Sequence, residues 1–519
     1  MSERGDTTRL THWAALVAIL LAGIVVRHNR IGADSISLDE MWHLGLSTGR
    51  GSPQMVWPVN EVISVERSWT EIDSAPPWYA CWANMERVLH PPLFVTSLRL
   101  WREGFGSSDV AAQWYTAVWS LVTILLVFEI VRAVGGSAPA GLWAGATLAV
   151  APTQILLSQE LRAYSMLAGL TCVAMLAAAR MDSHGVTPRR AIALGAAMLA
   201  MMLTHYFAVG VCALIALWAC MRFRGRNLGL LWVVFAGAGL AFCVTWLPIA
   251  LQQIPDIGHT ADPWLKEPGD RPYLLAVARF FAMPIRLFVD QLPSRPLTDH
   301  EYSAFLWPAI GLTFLMLVTW RAIKQPNLRL PLLWFAGVCG FLLALDLART
   351  TRHLVYIRYS LAAGPAVVVM LILLARQRKG IAVHFVGAAV VLLLLLLNEK
   401  AFFEDEPDYR PLRRFMVSQA MPTEPMVFYS GPAVKGYFNE ILMLAASREP
   451  SLWPRHIVKL AEPATPRLIH SLGGGTAWVF SGPVDDMATL MPGCEVLRSE
   501  IIIDSKDRPV AVCTQLKLP

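Results

Sequence analysis

The chain has 519 residues, of which 55% are hydrophobic and 16% charged, with 10% aromatic side chains that include 19 Trp. A soluble domain carries roughly 25% charged residues, so an ordinary cytosolic enzyme, a disordered chain and a collagen-like chain are all excluded. The mean hydropathy of +0.47 describes a polytopic α-helical membrane protein whose partner is the lipid bilayer. A formal charge of +6, dispersed along the chain, is too mild for a nucleic-acid partner.

The predicted elements begin with an apolar stretch at 10–26. It resembles a signal peptide, but no small-residue cleavage site follows it, so it reads as a retained first helix. A long loop, 27–110, comes next. Further apolar stretches lie at 111–131, 140–157, 165–179, 191–202, 208–220 and 228–251. A second long loop, 252–304, precedes the stretches at 305–320, 330–345, 359–375 and 381–397. Several fall short of the ~20 residues that span a bilayer and must borrow flanking polar residues, which gives about eleven transmembrane helices. From 401 to 519 the composition changes. Short β-like runs at 426–429, 476–480, 500–503 and 509–512 interleave with helix-like runs at 409–416, 434–444 and 485–490. That pattern reads as a small C-terminal α/β domain following a membrane module of residues 1–400.

Orientation follows from short loops rich in Lys and Arg, which stay cytoplasmic. One alternate set holds Arg180, Arg189, Arg190, Arg222, Arg224, Arg226, Arg321, Lys324, Arg329, Arg376, Arg378 and Lys379. Arg4 and Arg9 place the N-terminus on the same side. Both long loops and the C-terminal domain then face the periplasmic or extracellular side of a cell membrane. No predicted helix shows a charged residue near its centre, which speaks against a transporter with a coupled ion path.

The chemistry is therefore expected on the outer face. The first loop opens with Ser37-Leu38-Asp39-Glu40-Met41-Trp42-His43. Two adjacent carboxylates at a membrane surface are costly unless solvated or used, and either can accept a proton from an attacking hydroxyl. The alternative is structural: Asp39 caps a helix and Glu40 occupies its first turn. Glu40 and His43 also have the spacing of a metal half-site, but the sequence shows no second half, so a divalent metal near Asp39 is the minority reading and no certain cofactor follows.

Farther on, His90-Pro91-Pro92-Leu93 fixes an extended entry to a helix. Ser158-Gln159-Glu160-Leu161-Arg162-Ala163-Tyr164 forms the turn between the third and fourth spans, where a local Glu–Arg ion pair is the alternative to a site. Thr204-His205-Tyr206 joins two short helices, and Arg349, Arg352, His353, Arg358 and Tyr359 follow the ninth span. Arginine in an outer loop runs against the positive-inside bias, so an anionic partner or lipid headgroups are implied.

The order of these motifs resembles the GT-C superfamily of polytopic glycosyltransferases, in the branch of the protein O-mannosyltransferases and bacterial aminoarabinose transferases. The likeness runs from Asp39-Glu40 through His90-Pro91-Pro92, Glu160-x-Arg162-x-Tyr164 and His205-Tyr206 to Arg358-Tyr359. It implies an inverting transfer of a sugar from a polyprenyl-phosphate-linked donor to a glycan, lipid or protein acceptor. It also implies that Asp39 is the catalytic base and Glu40 its sugar- or acceptor-contacting neighbour. Arg162 and Arg358 become candidates for the donor phosphate. Tyr359, His90, Glu160, Tyr164, His205, Tyr206 and Arg352 complete the expected substrate-binding set. The chain lacks the luminal insert of the O-mannosyltransferases and carries the C-terminal α/β domain instead, which favours a glycan- or lipid-modifying branch. A lipid-linked glycan ligase and a polyprenyl-lipid flippase are the alternatives from other classes.

Overall fold

The computed structural model describes residues 2–29, 31–32, 36–51, 58–85, 90–260, 265–267, 272–289, 301–376, 381–398, 410–419, 424–429, 455–482, 486–503, 507 and 509–519. The expected helix-like run at 434–444 lies outside them. Among the described residues, eight helices are long and apolar enough to cross a membrane, or nine if one bent pair is a single span, and two shorter apolar helices accompany them. The protein is an integral membrane protein with a small C-terminal sheet.

By its contacts the chain divides into two units, each discontinuous in sequence. The first comprises Met1–Ile31, Leu89–Phe94 and Gln113–Glu404 and holds the apolar bundle. The second comprises Gly32–Val88, Val95–Ala112 and Asp405–Pro519, so the first loop groups with the tail.

Three features of the bundle differ from the sequence expectation. The stretch expected as one span at 140–157 is broken into two helices, Ala138–Val150 and Pro152–Gln159, bent by 59°. Pro152 causes the break, because it has no N–H to continue the ladder and forces Ala151 into extended backbone, φ −67 and ψ 118. The fully buried Arg27 takes up part of the loss: its guanidinium donates to the Ala149 carbonyl (3.2 Å), the Gly23 carbonyl (3.2 Å) and Ser120 Oγ (2.8 Å). The stretch at 330–345 likewise contains a π-helical segment, Ala336–Gly340. There Gly337 lies against Gly210 of helix Ala208–Arg222 so closely that a Cβ on Gly210 would overlap the Gly337 carbonyl.

The third difference is larger. The loop expected at 252–304 contains an apolar helix, Pro272–Val289, which passes the length and hydropathy test for a span. It also carries two buried arginines, Arg279 and Arg286, so the expectation of no charge within an apolar helix fails here. Both are held locally. Arg279 pairs with buried Glu267, and Arg286 donates to the carbonyls of Leu354 and Val355, each at 2.8 Å. Residues 265–267 in turn bridge to 350–352, through Arg352 N–H to the Leu265 carbonyl (2.9 Å) and Glu267 N–H to the Thr350 carbonyl (3.1 Å). Contacts from the middle and from the C-terminal part of this helix thus converge on one segment, 350–355.

Among the described residues of the second unit, six strands form one mixed sheet in the order β1-β3-β2-β4-β6-β5. Its strands are β1 (Val62–Val65), β2 (Met426–Tyr429), β3 (Arg455–Leu460), β4 (Gly475–Ser481), β5 (Glu495–Ile503) and β6 (Pro509–Leu518). The strand β1 comes from the first loop and pairs antiparallel with β3, Val62 opposite Val458. The central β2 is parallel to both β3 and β4 and buried along its length, as a strand covered on both faces should be. One face packs Val427, Val458, Val479 and Leu516 with Leu468 and Ile469 of helix Pro466–Ser471. On the other, Phe415 of helix Arg410–Gln419 meets Trp478 edge-on at 5.3 Å. Buried Glu424 ties this face together, accepting from Trp478 Nε1 (2.7 Å), Gln515 Nε2 (3.0 Å) and Thr476 Oγ1.

Candidate active site

In the second unit, Asp39 and Glu40 sit in the first turn of helix α2 (Leu38–Leu46). The cap is Ser37, not Asp39. Ser37 Oγ accepts from Glu40 N–H (3.4 Å) and Glu40 Oε2 accepts from Ser37 N–H (2.8 Å), a reciprocal capping box. Glu40 is buried and its carboxylate is engaged by the cap, whereas the half-buried Asp39 carboxylate takes no part in that box. The Asp39 carbonyl accepts from His43 Nδ1–H at 2.6 Å, which leaves Nε2 as the lone-pair nitrogen of a neutral His43.

The other end of α2 is held by two buried arginines of helix Leu93–Phe105. Arg102 donates to the carbonyls of Leu44 (3.0 Å) and Thr70 (2.6 Å) and to Ser47 Oγ (2.6 Å). Arg99 donates to the Thr48 carbonyl at 3.0 Å and pairs with Glu103 at 2.7 Å. Carboxylates at the N-terminus and cations at the C-terminus both complement the helix dipole, so α2 is a rigid carrier for Asp39.

In the first unit, residues distant in sequence form one cluster of rings. Tyr164 meets Tyr359 edge-on at 5.7 Å, and each approaches His205, at 5.5 and 6.5 Å. His90 adds to His205 at 6.0 Å, while Phe207 bridges Tyr359 (5.2 Å) and His353 (5.5 Å). The cluster forms because helices end there: Tyr164 opens helix Tyr164–His184 and His205 caps helix Pro188–Thr204. His205 Nδ1 accepts the Phe207 N–H at 3.2 Å, so a neutral His205 carries its proton on Nε2.

Two cations flank the central tyrosine pair. The Arg162 guanidinium lies over the Tyr164 ring at 5.2 Å and contacts its hydroxyl at 3.3 Å. The Arg358 guanidinium lies over Tyr359 at 5.7 Å and over Tyr356 at 5.4 Å. Arg162 and Arg358, 196 positions apart in the sequence, thus share one T-shaped tyrosine pair. Glu160 meets Arg162 through backbone, its carbonyl accepting the Arg162 N–H at 2.8 Å. Arg352, on the bridge to Leu265, belongs to the frame beneath this cluster.

Tyr206 faces elsewhere. Its hydroxyl donates to Gln253 Oε1 (2.5 Å) and accepts from Trp246 Nε1 (2.9 Å), both partners fully buried. Burial pushes this phenol up to about 12. It anchors the 204–208 turn to the one at Trp246, so its neighbour His205 is the member of that pair at the ring cluster. Sequence reasoning missed Phe207 and Tyr356 in the cluster and Asp346 and Arg286 below it; aromatic spacing around His205-Tyr206-Phe207 and Tyr356-x-x-Tyr359 was the available signal. Among the described residues, no group of three or more His, Cys, Asp or Glu could hold a metal ion.

No family model and no curated protein matches the chain. Solved structures do. The ArnT of Cupriavidus metallidurans bound to undecaprenyl phosphate matches with TM-score 0.53 and 14% identity, over 97% of this chain and 98% of that one. The archaeal oligosaccharyltransferase AglB of Archaeoglobus fulgidus, in complex with an inhibitory peptide and a dolichol-phosphate, matches with TM-score 0.52 and 11% identity, over 92% of this chain and 70% of that one. At such identities the likeness is one of fold, and the fold of this chain is that of the GT-C membrane glycosyltransferases.

Proposed function

We propose that the protein transfers a sugar from a polyprenyl-phosphate-linked donor to a glycan or lipid acceptor, with inversion at the anomeric carbon. The observation that carries this reading is the pair of arginines, Arg162 and Arg358, on one tyrosine pair at the helix ends of an apolar bundle. Two fixed guanidiniums beside a hydrocarbon environment suit a phosphate whose tail lies in lipid. The two neighbours of the same fold were solved with undecaprenyl phosphate and with a dolichol-phosphate, which supports a lipid phosphate as the ligand.

In the reaction the acceptor hydroxyl oxygen bonds to the anomeric carbon while the bond from that carbon to the phosphate oxygen breaks. The polyprenyl phosphate leaves with the bonding pair, and Arg162 and Arg358 stabilise the charge that accumulates on it. The acceptor proton passes to a carboxylate, and by the resemblance of the Asp39-Glu40 motif that role falls to Asp39. His90, His205 and Tyr359 supply ring faces and polar edges for the sugar. By the distribution of Arg-rich loops, the reaction takes place on the extracytoplasmic face of a bacterial cell membrane.

The test is donor turnover. Purified protein in lipid nanodiscs is given labelled polyprenyl-phosphate sugars and extracts of envelope glycans and lipids. Labelled product together with released polyprenyl phosphate is expected. Movement of intact donor across the bilayer without cleavage would mark a flippase and reject the transferase reading.

A further inference from the structure

Beside the ring cluster, the one-turn 3-10 helix His353–Val355 lies between two buried opposite charges that face its backbone and not each other's side chains. Asp346, the last buried residue of helix Phe341–Arg349, takes the N–H end. Its Oδ1 accepts from His353 N–H (2.7 Å), Thr351 Oγ1 (2.9 Å) and His353 Nδ1 (2.8 Å), and its Oδ2 from Leu354 N–H (3.0 Å). Arg286 takes the carbonyl end, donating to Leu354 O and Val355 O at 2.8 Å each. Asp346 is 1% and Arg286 3% exposed. The polarity is that of a helix dipole with an anion at its start and a cation at its end.

Burying a carboxylate and a guanidinium is expensive, and apolar packing would hold a turn at lower cost. The chain enters this turn through Thr350, a β-branched residue in the left-handed region at φ +51, which adds local strain. Such devices persist where geometry must be fixed. Three residues beyond the turn stands Arg358, followed by Tyr359.

We infer that Asp346 and Arg286 are positioning residues that seat Arg358 and Tyr359 against Tyr164. Asp346 fixes the N–H groups of the turn and Arg286 its carbonyls, so the backbone leading to Arg358 has neither rotation nor slip available. The helix Pro272–Val289 thereby contributes to the site through Arg286. This inference rests on the reading of Arg358 as a ligand of the donor phosphate.

The test titrates undecaprenyl phosphate into the full-length protein in nanodiscs, for wild type, Asp346→Asn, Arg286→Met, Arg358→Met and the two doubles that include Arg358→Met. Each single substitution should weaken binding about tenfold or more, and either positioning substitution should change binding less than about twofold once Arg358 is already Met. Additive losses in the doubles would overturn the inference. Wild-type binding by Arg358→Met would instead overturn the donor reading of Arg358. Wild-type binding by Asp346→Asn, with Arg358→Met weakened, would reject the positioning role alone. Should a variant fail to fold, hydrogen exchange on the wild-type protein decides: the amides of His353 and Leu354 should exchange as slowly as those of Phe341–Arg349. Exchange at the rate of an exposed loop would overturn the bracket.

Discussion

Asp39→Asn and Glu40→Gln separate a helix cap from a catalyst. Asp39 lies in the first turn of α2 but outside its capping box, so the structural role these elements give it is a charge–dipole interaction. Such an interaction is worth about 0.3–1 kcal/mol, which equals only about a two- to fivefold effect on any equilibrium it supports. Loss of a general base costs about 10²–10⁴-fold in rate. Asp39→Asn, nearly isosteric, should therefore leave the unfolding midpoint within a few degrees of wild type and reduce kcat by at least about a hundredfold. Glu40→Gln retains a side chain that can serve the capping box, so it should lose far less rate than Asp39→Asn. The assay is release of polyprenyl phosphate from labelled donor by purified variants, with thermal unfolding of the same preparations followed by tryptophan fluorescence. A rate loss below about fivefold for Asp39→Asn would return Asp39 to a dipole partner. A Glu40→Gln enzyme slower than Asp39→Asn would transfer the base assignment to Glu40.

Arg162→Ala and Arg358→Ala should each weaken undecaprenyl phosphate binding and lower turnover, and the Lys variants should recover only part, because Lys cannot present a planar fork; wild-type kinetics in either Ala variant removes that residue from the site. Arg102→Met should destabilise the fold by about 2–4 kcal/mol through the hydrogen bonds lost to Leu44, Thr70 and Ser47, measured as a fall in unfolding midpoint; an unchanged midpoint would show that the end of α2 is held otherwise. In intact cells an impermeant thiol reagent should reach Arg467→Cys and spare Arg224→Cys; the reverse pattern refutes the proposed orientation. The Cys81 thiol, pushed up to about 11 by burial and donating to the Ser47 carbonyl, should resist alkylation at pH 8 until the protein is unfolded; rapid labelling in the folded state would contradict its burial.

The helices were legible because apolar runs long enough to span a bilayer leave little else for a chain to do. The strand Met426–Tyr429 was read at its observed bounds, since its four apolar residues are flanked by turn formers. Other features could not be read. The helix Pro272–Val289 is apolar enough to count as a span, but Arg279, Pro284 and Arg286 interrupt its apolar run, and the long-range partners Glu267, Leu354 and Val355 are what make those arginines tolerable. The strand β1 is four residues of an otherwise polar loop, and its pairing with Val458 is invisible without the tail. The candidate site was legible as a set of motifs but not as an arrangement. Arg162 and Arg358 could be named, but their sharing of Tyr164 and Tyr359 depends on helix ends converging from four parts of the chain. The sequence also offered no means to tell His205 from Tyr206, because the roles follow from Trp246 and Gln253, two helices away.

The central claim is that the tyrosine pair with its two arginines seats a lipid phosphate, and a cryo-EM structure of the full chain in nanodiscs with undecaprenyl phosphate tests it most directly. Phosphate density is expected within hydrogen-bonding reach, about 3 Å, of both the Arg162 and Arg358 guanidiniums, with the polyprenyl chain running from there into the bilayer. Phosphate density bound elsewhere, with Arg162 and Arg358 still stacked on Tyr164 and Tyr359 and touching no ligand, would contradict it.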